Sequence, residues 1–349
     1  MSSIHPKILL AGGGTLGSVS PLLAIAKKYQ ADYLFVCSQT GPEKNIIAEN
    51  NIAYVTLDSG KWRRYFSWQN FVDVFKLKIN FWRALKIIHN FRPDLVLTAG
   101  SYVAVPVVWA AWVCRVPIIV HQQDIKVGLA NRLMALFAKK ITVVFPEQEN
   151  NFSRKKVVVT GNPVRDFIKH DYDKPIVVIT GGGLGARSLN DFIKPFIPKL
   201  LSQYEVHHIL GSQNWDQRLE LAGYQPYKFV TSGMLDLLSQ ADIIISRAGM
   251  SLISEAANLR KALILVPIPS SHQEFNASFL AKRNAAFMVK QGSYQIMERY
   301  LDKLLERPEL RQGLADNLYN LFPQNASNDY VILINSILEK NASQSRQNQ

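Results

Sequence analysis

The feature that most constrains this chain is a pattern it contains twice. Lys7-Ile8-Leu9-Leu10-Ala11 runs into Gly12-Gly13-Gly14-Thr15-Leu16-Gly17, and Pro175-Ile176-Val177-Val178-Ile179-Thr180 runs into Gly181-Gly182-Gly183-Leu184-Gly185. Each is a short apolar run that meets glycines and then a helical pattern, which reads as a buried strand, a tight turn and a helix. Two α/β units with the same opening follow, and 349 residues give room for both. Further strand-like runs lie at 33–37, 53–57, 95–98, 117–121 and 141–145, and then at 206–210, 227–230, 242–245 and 263–266. Helical patterns between them predict parallel, doubly wound sheets. Thr160-Gly161-Asn162-Pro163-Val164-Arg165 and the polar stretch 169–175 carry the turn chemistry of a hinge. A last apolar pattern from Tyr330 to Leu338 reads as a closing helix, and 341–349 as a disordered tail.

A strand that ends in glycines before a helix offers backbone N–H groups and the positive end of a helix dipole to an anion. One such loop is equally well a plain strand-to-helix turn; two in a two-domain chain point more firmly to a phosphate compound. A dinucleotide site calls for an acid at the end of the second strand, but Tyr33-Leu34-Phe35-Val36-Cys37 ends in Ser38-Gln39-Thr40. No G-x-x-x-x-G-K-[ST] occurs either, which disfavours a P-loop NTPase. A third constellation, Ser246-Arg247-Ala248-Gly249-Met250-Ser251 through Glu255, follows the run 242–245. It places Ser251 at a helix start and Glu255 one turn later on the same face, where a carboxylate can accept both hydroxyls of a ribose. The plainer reading of Glu255 is an acid favoured by the helix dipole.

The net charge of +13 is uneven: residues 1–160 hold 20 basic and 9 acidic side chains, residues 161–349 hold 20 and 18. Most of the excess sits in 61–92, where eight basic residues and one acid are interleaved with nine aromatics. Phe71, Val74, Phe75, Lys78 and Trp82 recur at helical spacing, the pattern of an interfacial helix with aromatic anchors and basic flanks. A core helix with solvated lysines is the alternative, and a nucleic-acid surface is disfavoured. The apolar run Leu95–Cys114 contains Gly100, Ser101 and Pro106 and reads as a buried segment rather than a membrane span. Cys37 and Cys114 make no disulfide framework, and the N-terminus has no signal-peptide pattern, so a cytosolic setting is expected.

At these residues the chain resembles the MurG family, the undecaprenyldiphospho-muramoylpentapeptide β-N-acetylglucosaminyltransferases. The similar pieces occur in order: the first Gly-rich loop to Pro21, Gly100-Ser101-Tyr102-Val103, His121-Gln122-Gln123-Asp124 through Asn131, Gly161 to Arg165, Gly181 to Asn190, Ser246 to Glu255, and His272-Gln273-Glu274-Phe275-Asn276-Ala277. The resemblance implies a GT-B fold, two Rossmann-like doubly wound domains facing across a cleft. Residues 1–163, with a helix at about 325–340 packed back on them, would bind acceptor and membrane, and 164–324 would bind the donor.

It also implies an inverting, metal-independent transfer of GlcNAc from UDP-GlcNAc to the MurNAc 4-hydroxyl of lipid I, giving lipid II. No cofactor is needed beyond the donor substrate. By position, Arg165, Gly182, Gly183, Ser251, Glu255, His272, Gln273 and Asn276 would serve the donor. Gly13, Gly14, Thr15, Gly17, Tyr102 and Asn131 would serve an undecaprenyl-linked acceptor. The partner surface would be an anionic membrane met through 61–92 at its cytoplasmic face, with no nucleic acid. Asp171-Tyr172-Asp173, the only Asp-x-Asp, reads as linker rather than metal clamp.

The chain departs from the family in its loops. The family's G-G-T-G-G-H is Gly13-Gly14-Thr15-Leu16-Gly17-Ser18, so Ser18 stands where an imidazole is usual, and a serine takes up no proton near neutral pH. G-S-Q-G-A becomes Gly182-Gly183-Leu184-Gly185-Ala186, and H-E-Q-N becomes His121-Gln122-Gln123-Asp124. The paired loss of a histidine at 18 and gain of an acid at 124 make Asp124 the candidate replacement base. These changes leave open a related lipid-linked acceptor or a weakened, membrane-associated paralogue.

Overall fold

In a sheet covered on both faces every strand residue is buried, so strands of Ile, Val and Leu read as unbroken apolar runs. The computed structural model describes residues 5–58, 68–165, 175–182, 185–211, 221–230 and 233–347, and the strands at the centre of its sheets are runs of this kind. The chain forms two compact units: Met1–Gln123 with Val127–Arg165 and Pro323–Gln349, and Asp124–Lys126 with Asp166–Phe322.

The first unit holds β1 (Lys7–Ala11), β2 (Asp32–Ser38), β3 (Ala53–Leu57), β4 (Leu95–Thr98), β5 (Ile118–Gln122), β6 (Lys140–Val143) and β7 (Val157–Val159). They form one parallel sheet of order β3-β2-β1-β4-β5-β6-β7. Its helices are α1 (Ser20–Lys28), α2 (Glu43–Glu49), α3 (Trp68–Phe91), α4 (Ala104–Val113) and α5 (Leu129–Ala135). Alternate strand residues serve opposite faces. Leu9, Val36 and Val96 pack with Ala84 and Ile88 of α3 and with α4 and α5, whereas Ile8, Leu10, Phe35 and Leu97 pack with Leu22 and Ile25 of α1.

The second unit repeats the plan with β8 (Ile176–Thr180), β9 (Glu205–Ile209), β10 (Tyr224–Tyr227), β11 (Ile243–Ser246), β12 (Ala262–Leu265) and β13 (Phe287–Met288), in the order β10-β9-β8-β11-β12-β13. Its helices are α6 (Arg187–Ile193), α7 (Ile197–Leu201), α8 (Met234–Gln240), α9 (Met250–Asn258), α10 (Gln273–Ala281), α11 (Tyr294–Glu306) and α12 (Pro308–Leu321). The last helix, α13 (Ala326–Gln347), belongs to the first unit, where Tyr330, Leu333, Ile334 and Ile337 join the core of β1, β2 and α1.

Four details differ from the sequence reading, the first being β7, whose three residues give no periodic signal. The edge strand β10 spans 224–227 rather than 227–230, because buried Tyr224 pairs with Val206 while Pro226 is tolerated only at a sheet edge. The two-residue β13 is too short to give a periodic signal. Helix α13 runs on through Gln347, past the expected start of a disordered tail, since residues 341–347 contain neither Gly nor Pro to stop it. Among the described residues no helix is long and apolar enough to cross a membrane.

Each unit carries a buried histidine whose two ring nitrogens are both engaged. His121 on β5 donates from Nε2 to Asn162 Oδ1 at 2.8 Å and accepts at Nδ1 from the Thr142 hydroxyl at 3.0 Å. Thr142 meets the Tyr330 hydroxyl of α13. His208 on β9 donates to Asn190 Oδ1 at 3.1 Å and accepts from the Tyr224 hydroxyl at 2.9 Å. Burial pushes both imidazoles down from 6.5 to about 4. A neutral ring suits this wiring and a charged one does not.

Their contribution to stability is therefore complete above about pH 6.5 and is lost as pH falls toward 4, at about 3 kcal/mol for each histidine. Denaturant melts between pH 7 and pH 4 should show this decline, and the His208→Gln variant should show a shallower one.

Candidate active site

All strands of a parallel sheet deliver their C-terminal ends to one edge, where ligands of open α/β sheets bind. In the first unit the loop after β1 holds Gly13, Gly14, Thr15, Gly17 and Ser18. The Gly13 amide donates to Ser18 Oγ at 3.0 Å, and the hydroxyl faces the carbonyls of Gly13 and Thr15 at 3.3 and 3.4 Å. Ser18 is buried, and its side chain closes the loop. The Gly14 amide donates to Glu43 Oε1 at 3.0 Å, an oxygen that also accepts from the Ser38 amide at 2.9 Å and the Ser38 hydroxyl at 2.5 Å.

Glu43 is 0% exposed, and its Oε2 has no hydrogen-bond partner. This carboxylate is also what requires glycine at 13: the φ there is 152°, and a Cβ would stand 2.3 Å from Glu43 Oε1. Gln123 Nε2 donates to Gly17 O at 2.9 Å and reaches Ala99 O at 3.4 Å, tying the loop after β1 to the loop after β4. In that second loop Ser101 holds a positive φ of 89°, a strained conformation for serine, beside half-buried Tyr102. Asn131 donates to His121 O at 3.1 Å and Gln122 Oε1 at 2.6 Å.

In the second unit the Gly182 amide donates to Thr180 Oγ1 at 3.2 Å and the Gly185 amide to Gly182 O at 2.9 Å. Gly185 has φ 74°, and a Cβ there would lie 2.3 Å from Leu210 O, so the turn admits no side chain. After β11, Arg247 turns inward. Its Nη1 donates to Val266 O at 3.0 Å and Pro267 O at 3.3 Å, and its Nη2 to Ser188 Oγ at 2.7 Å and Gln291 Oε1 at 2.9 Å. Only 6% of the residue is exposed, its buried Nε has no partner, and burial lowers its pKa.

Helix α9 begins after Gly249 and presents Ser251 in its first turn and buried Glu255 one turn later. Gln273 Oε1 accepts the amides of Ala248 and Ile268, each at 3.2 Å, joining the loops after β11 and β12. Asn276 is fully buried. It donates to Asp124 Oδ1 at 2.8 Å and Ala248 O at 3.0 Å and accepts the Ile125 amide at 3.0 Å. Half-exposed His272 has Nε2 3.7 Å from Asp124 Oδ2. Asp124, His272, Gln273 and Asn276 thus form one polar cluster. Arg165 lies in the first unit. Gly183 and Asp171-Tyr172-Asp173 lie outside the described residues.

Residues 8–143 match the glycosyltransferase family 28 N-terminal domain, and residues 176–326 match the C-terminal domain of that family. A Geobacillus thermodenitrificans protein named UDP-N-acetylglucosamine–N-acetylmuramyl-(pentapeptide) pyrophosphoryl-undecaprenol N-acetylglucosamine transferase is 37% identical, over 91% of each chain. A Clostridium botulinum protein of the same name is 34% identical, over 95% of this chain and 98% of its own. The crystal structure of Acinetobacter baumannii MurG superposes with a TM-score of 0.72 at 27% identity, covering 95% of this chain and 99% of that one. The chain belongs to the MurG family. Its two Rossmann-like parallel-sheet units are those of the GT-B fold.

In this chain the two sheet edges differ in charge. Glu43 places a buried carboxylate under the first Gly-rich loop, and Arg247 places a buried guanidinium beside the second. Neither stood among the expected site residues. Glu43 lies five positions past Ser38, in the first turn of α2, and only the fold brings it under Gly13 and Gly14. Arg247 was visible in its motif, but its four bonded partners come from three distant segments. Among the described residues no group of three or more His, Cys, Asp or Glu is placed to hold a metal.

Removing the carboxylate leaves three donors without an acceptor, two of them on Ser38. The Glu43→Ala variant should lose about 2–4 kcal/mol in denaturant unfolding, more than an exposed acid on α2 such as Glu49.

Proposed function

We propose that this protein transfers GlcNAc from UDP-GlcNAc to the MurNAc 4-hydroxyl of the undecaprenyl-linked muramoylpentapeptide, lipid I, with inversion and without a metal ion, giving lipid II and UDP. The observation that carries this reading is the near full-length match to relatives with that name, together with a buried acid, Glu255, one turn into the helix after β11. In this reading the second unit takes the donor. Glu255 accepts the ribose hydroxyls, and Gly182, Gly183, Ser251 and Arg165 meet the diphosphate. Backbone N–H groups, a helix start and a cation stabilise the departing UDP where a metal otherwise would. Gln273 and His272 address the sugar, with Asn276 holding their loop in place.

The first unit takes the acceptor at Gly13, Gly14, Thr15, Gly17, Tyr102 and Asn131. Asp124 accepts the proton of the attacking hydroxyl as its oxygen bonds to the anomeric carbon. The bond to phosphate breaks from the opposite side, and UDP leaves with the electron pair. Asp124 suits this duty better than Ser18, whose hydroxyl is spent inside its own loop. That same loop favours one second reading, a related lipid-linked acceptor, because the usual imidazole is absent and nothing at Ser18 replaces its chemistry.

A lipid-linked acceptor requires the enzyme at the cytoplasmic face of the membrane, and the first unit has a surface suited to this. On α3, Trp82 is 70% exposed beside Ile79, Lys78, Arg83 and Lys86. Trp112 and Val113 at the end of α4 and Leu136 just past α5 extend the exposed apolar surface, with Trp112 packed on Phe137 at 5.0 Å. Arg115 and Lys139 are exposed nearby in sequence. Residues 61–67 and the side chains of 68–76 lie outside the described set. Each basic residue near an anionic leaflet adds about 1 kcal/mol.

Purified protein should release UDP from UDP-GlcNAc when a lipid I analogue is present and not without it. Asp124→Asn should lower kcat by about a hundredfold or more with little change in donor KM, and Glu255→Gln should raise donor KM by about tenfold. Turnover by Asp124→Asn equal to that of the parent would eliminate Asp124 as base. Vesicles containing anionic lipid should pellet the protein in a salt-sensitive way, and the double variant Trp82→Ala, Trp112→Ala should pellet markedly less.

A further inference from the structure

Arg247 stands out for what surrounds it. Four of its five N–H donors end on neutral oxygens, the fifth is buried without a partner, and no carboxylate among the described residues pairs with it. A guanidinium buried to this degree is ordinarily matched by an acid. Its bonding partners are the loops that leave the sheet: Ser188 beyond the Gly-rich turn after β8, Val266 and Pro267 after β12, and Gln291 after β13, while Arg247 itself follows β11. One side chain therefore fixes four of the six strand ends and holds an uncompensated positive charge at that edge. Gly182, in the loop after β8, which pairs with β11, and Ser251, in the first turn of α9, are among the residues proposed to meet the donor diphosphate.

We infer that Arg247 is a positioning residue whose missing counter-ion is the diphosphate of the bound nucleotide. Resting on the donor reading above, this says which part of the donor the edge recognises electrostatically. The guanidinium sets the loop geometry through its four neutral acceptors, and its charge favours a ligand that brings negative charge to the same edge. Nucleoside diphosphate should bind through this field, and the bare nucleoside should be indifferent to it.

Gln291 offers the cleanest test, because its Oε1 already accepts from Nη2 at 2.9 Å and a carboxylate can keep that bond while supplying the absent acid. Calorimetry on the full chain would compare UDP with uridine for the parent protein, Gln291→Glu and Arg247→Lys. The expected result for Gln291→Glu is about a tenfold or greater loss of UDP affinity, uridine affinity within about twofold of the parent, and a raised apo melting temperature. Arg247→Lys keeps the charge but not the fork. It should weaken both ligands together by loosening the loops, with less discrimination between them than Gln291→Glu shows. Unchanged UDP affinity in Gln291→Glu, or equal losses for UDP and uridine, would overturn the inference. A parent protein that binds uridine and UDP equally would also overturn it, whereas one that binds neither would remove the donor reading itself.

Discussion

A parallel sheet crowds the exits of all its strands onto one edge, and every loop that leaves there carries backbone groups that need partners. In this chain the partners are a few buried polar side chains, each serving several loops. Glu43, Gln123 and Gln148 do so in the first unit, where Gln148 accepts from the Val144 and Phe145 amides at 3.0 and 2.7 Å and reaches back to the carbonyls of Gln122 and Gln123. Arg247, Gln273 and Asn276 do so in the second. The loops hold their shape because these groups are buried, and the exposed atoms that remain are the ones left for chemistry.

This division changes how the family's motifs are read. His121, Asn162 and Asn190 sit in segments that carry the resemblance, yet their side chains are bonded inside the protein rather than presented at an edge. They act at a distance from chemistry, by holding the strands and turns from which other residues project. The opposite buried charges at the two edges extend the same logic from shape to field: one edge disfavours an additional anion and the other favours it.

Much of the fold was legible because buried parallel strands leave unbroken runs such as Ile176–Ile179 and Ile243–Ile245, and glycines mark their ends. The short strands β7 and β13 and the shifted β10 were not, since two or three residues give no period and an edge strand takes its register from a neighbour. At the candidate site, the Gly-rich loops and the Ser251–Glu255 spacing could be read because a helix repeats locally. Glu43 is not legible in sequence because the dinucleotide pattern calls for an acid at the end of β2, where a ribose would need it, whereas this acid stands a turn later beneath a glycine. The burial of Ser18 and Asn276 was equally hidden: a residue type in a motif gives its chemistry but not whether its donors are already spent.

The return of α13 to the first unit bears on the order in which the chain is made. Tyr330, Leu333, Ile334 and Ile337 complete a core whose other members begin at Ile8, and the Tyr330 hydroxyl joins the Thr142 and His121 chain. During synthesis the face of β1 and β2 stays uncovered until the whole second unit has left the ribosome. The unit that starts first is therefore the one that finishes last. A nascent chain halted after residue 322 holds a complete second unit beside a first unit with an open, apolar face, the kind of surface that chaperones cover.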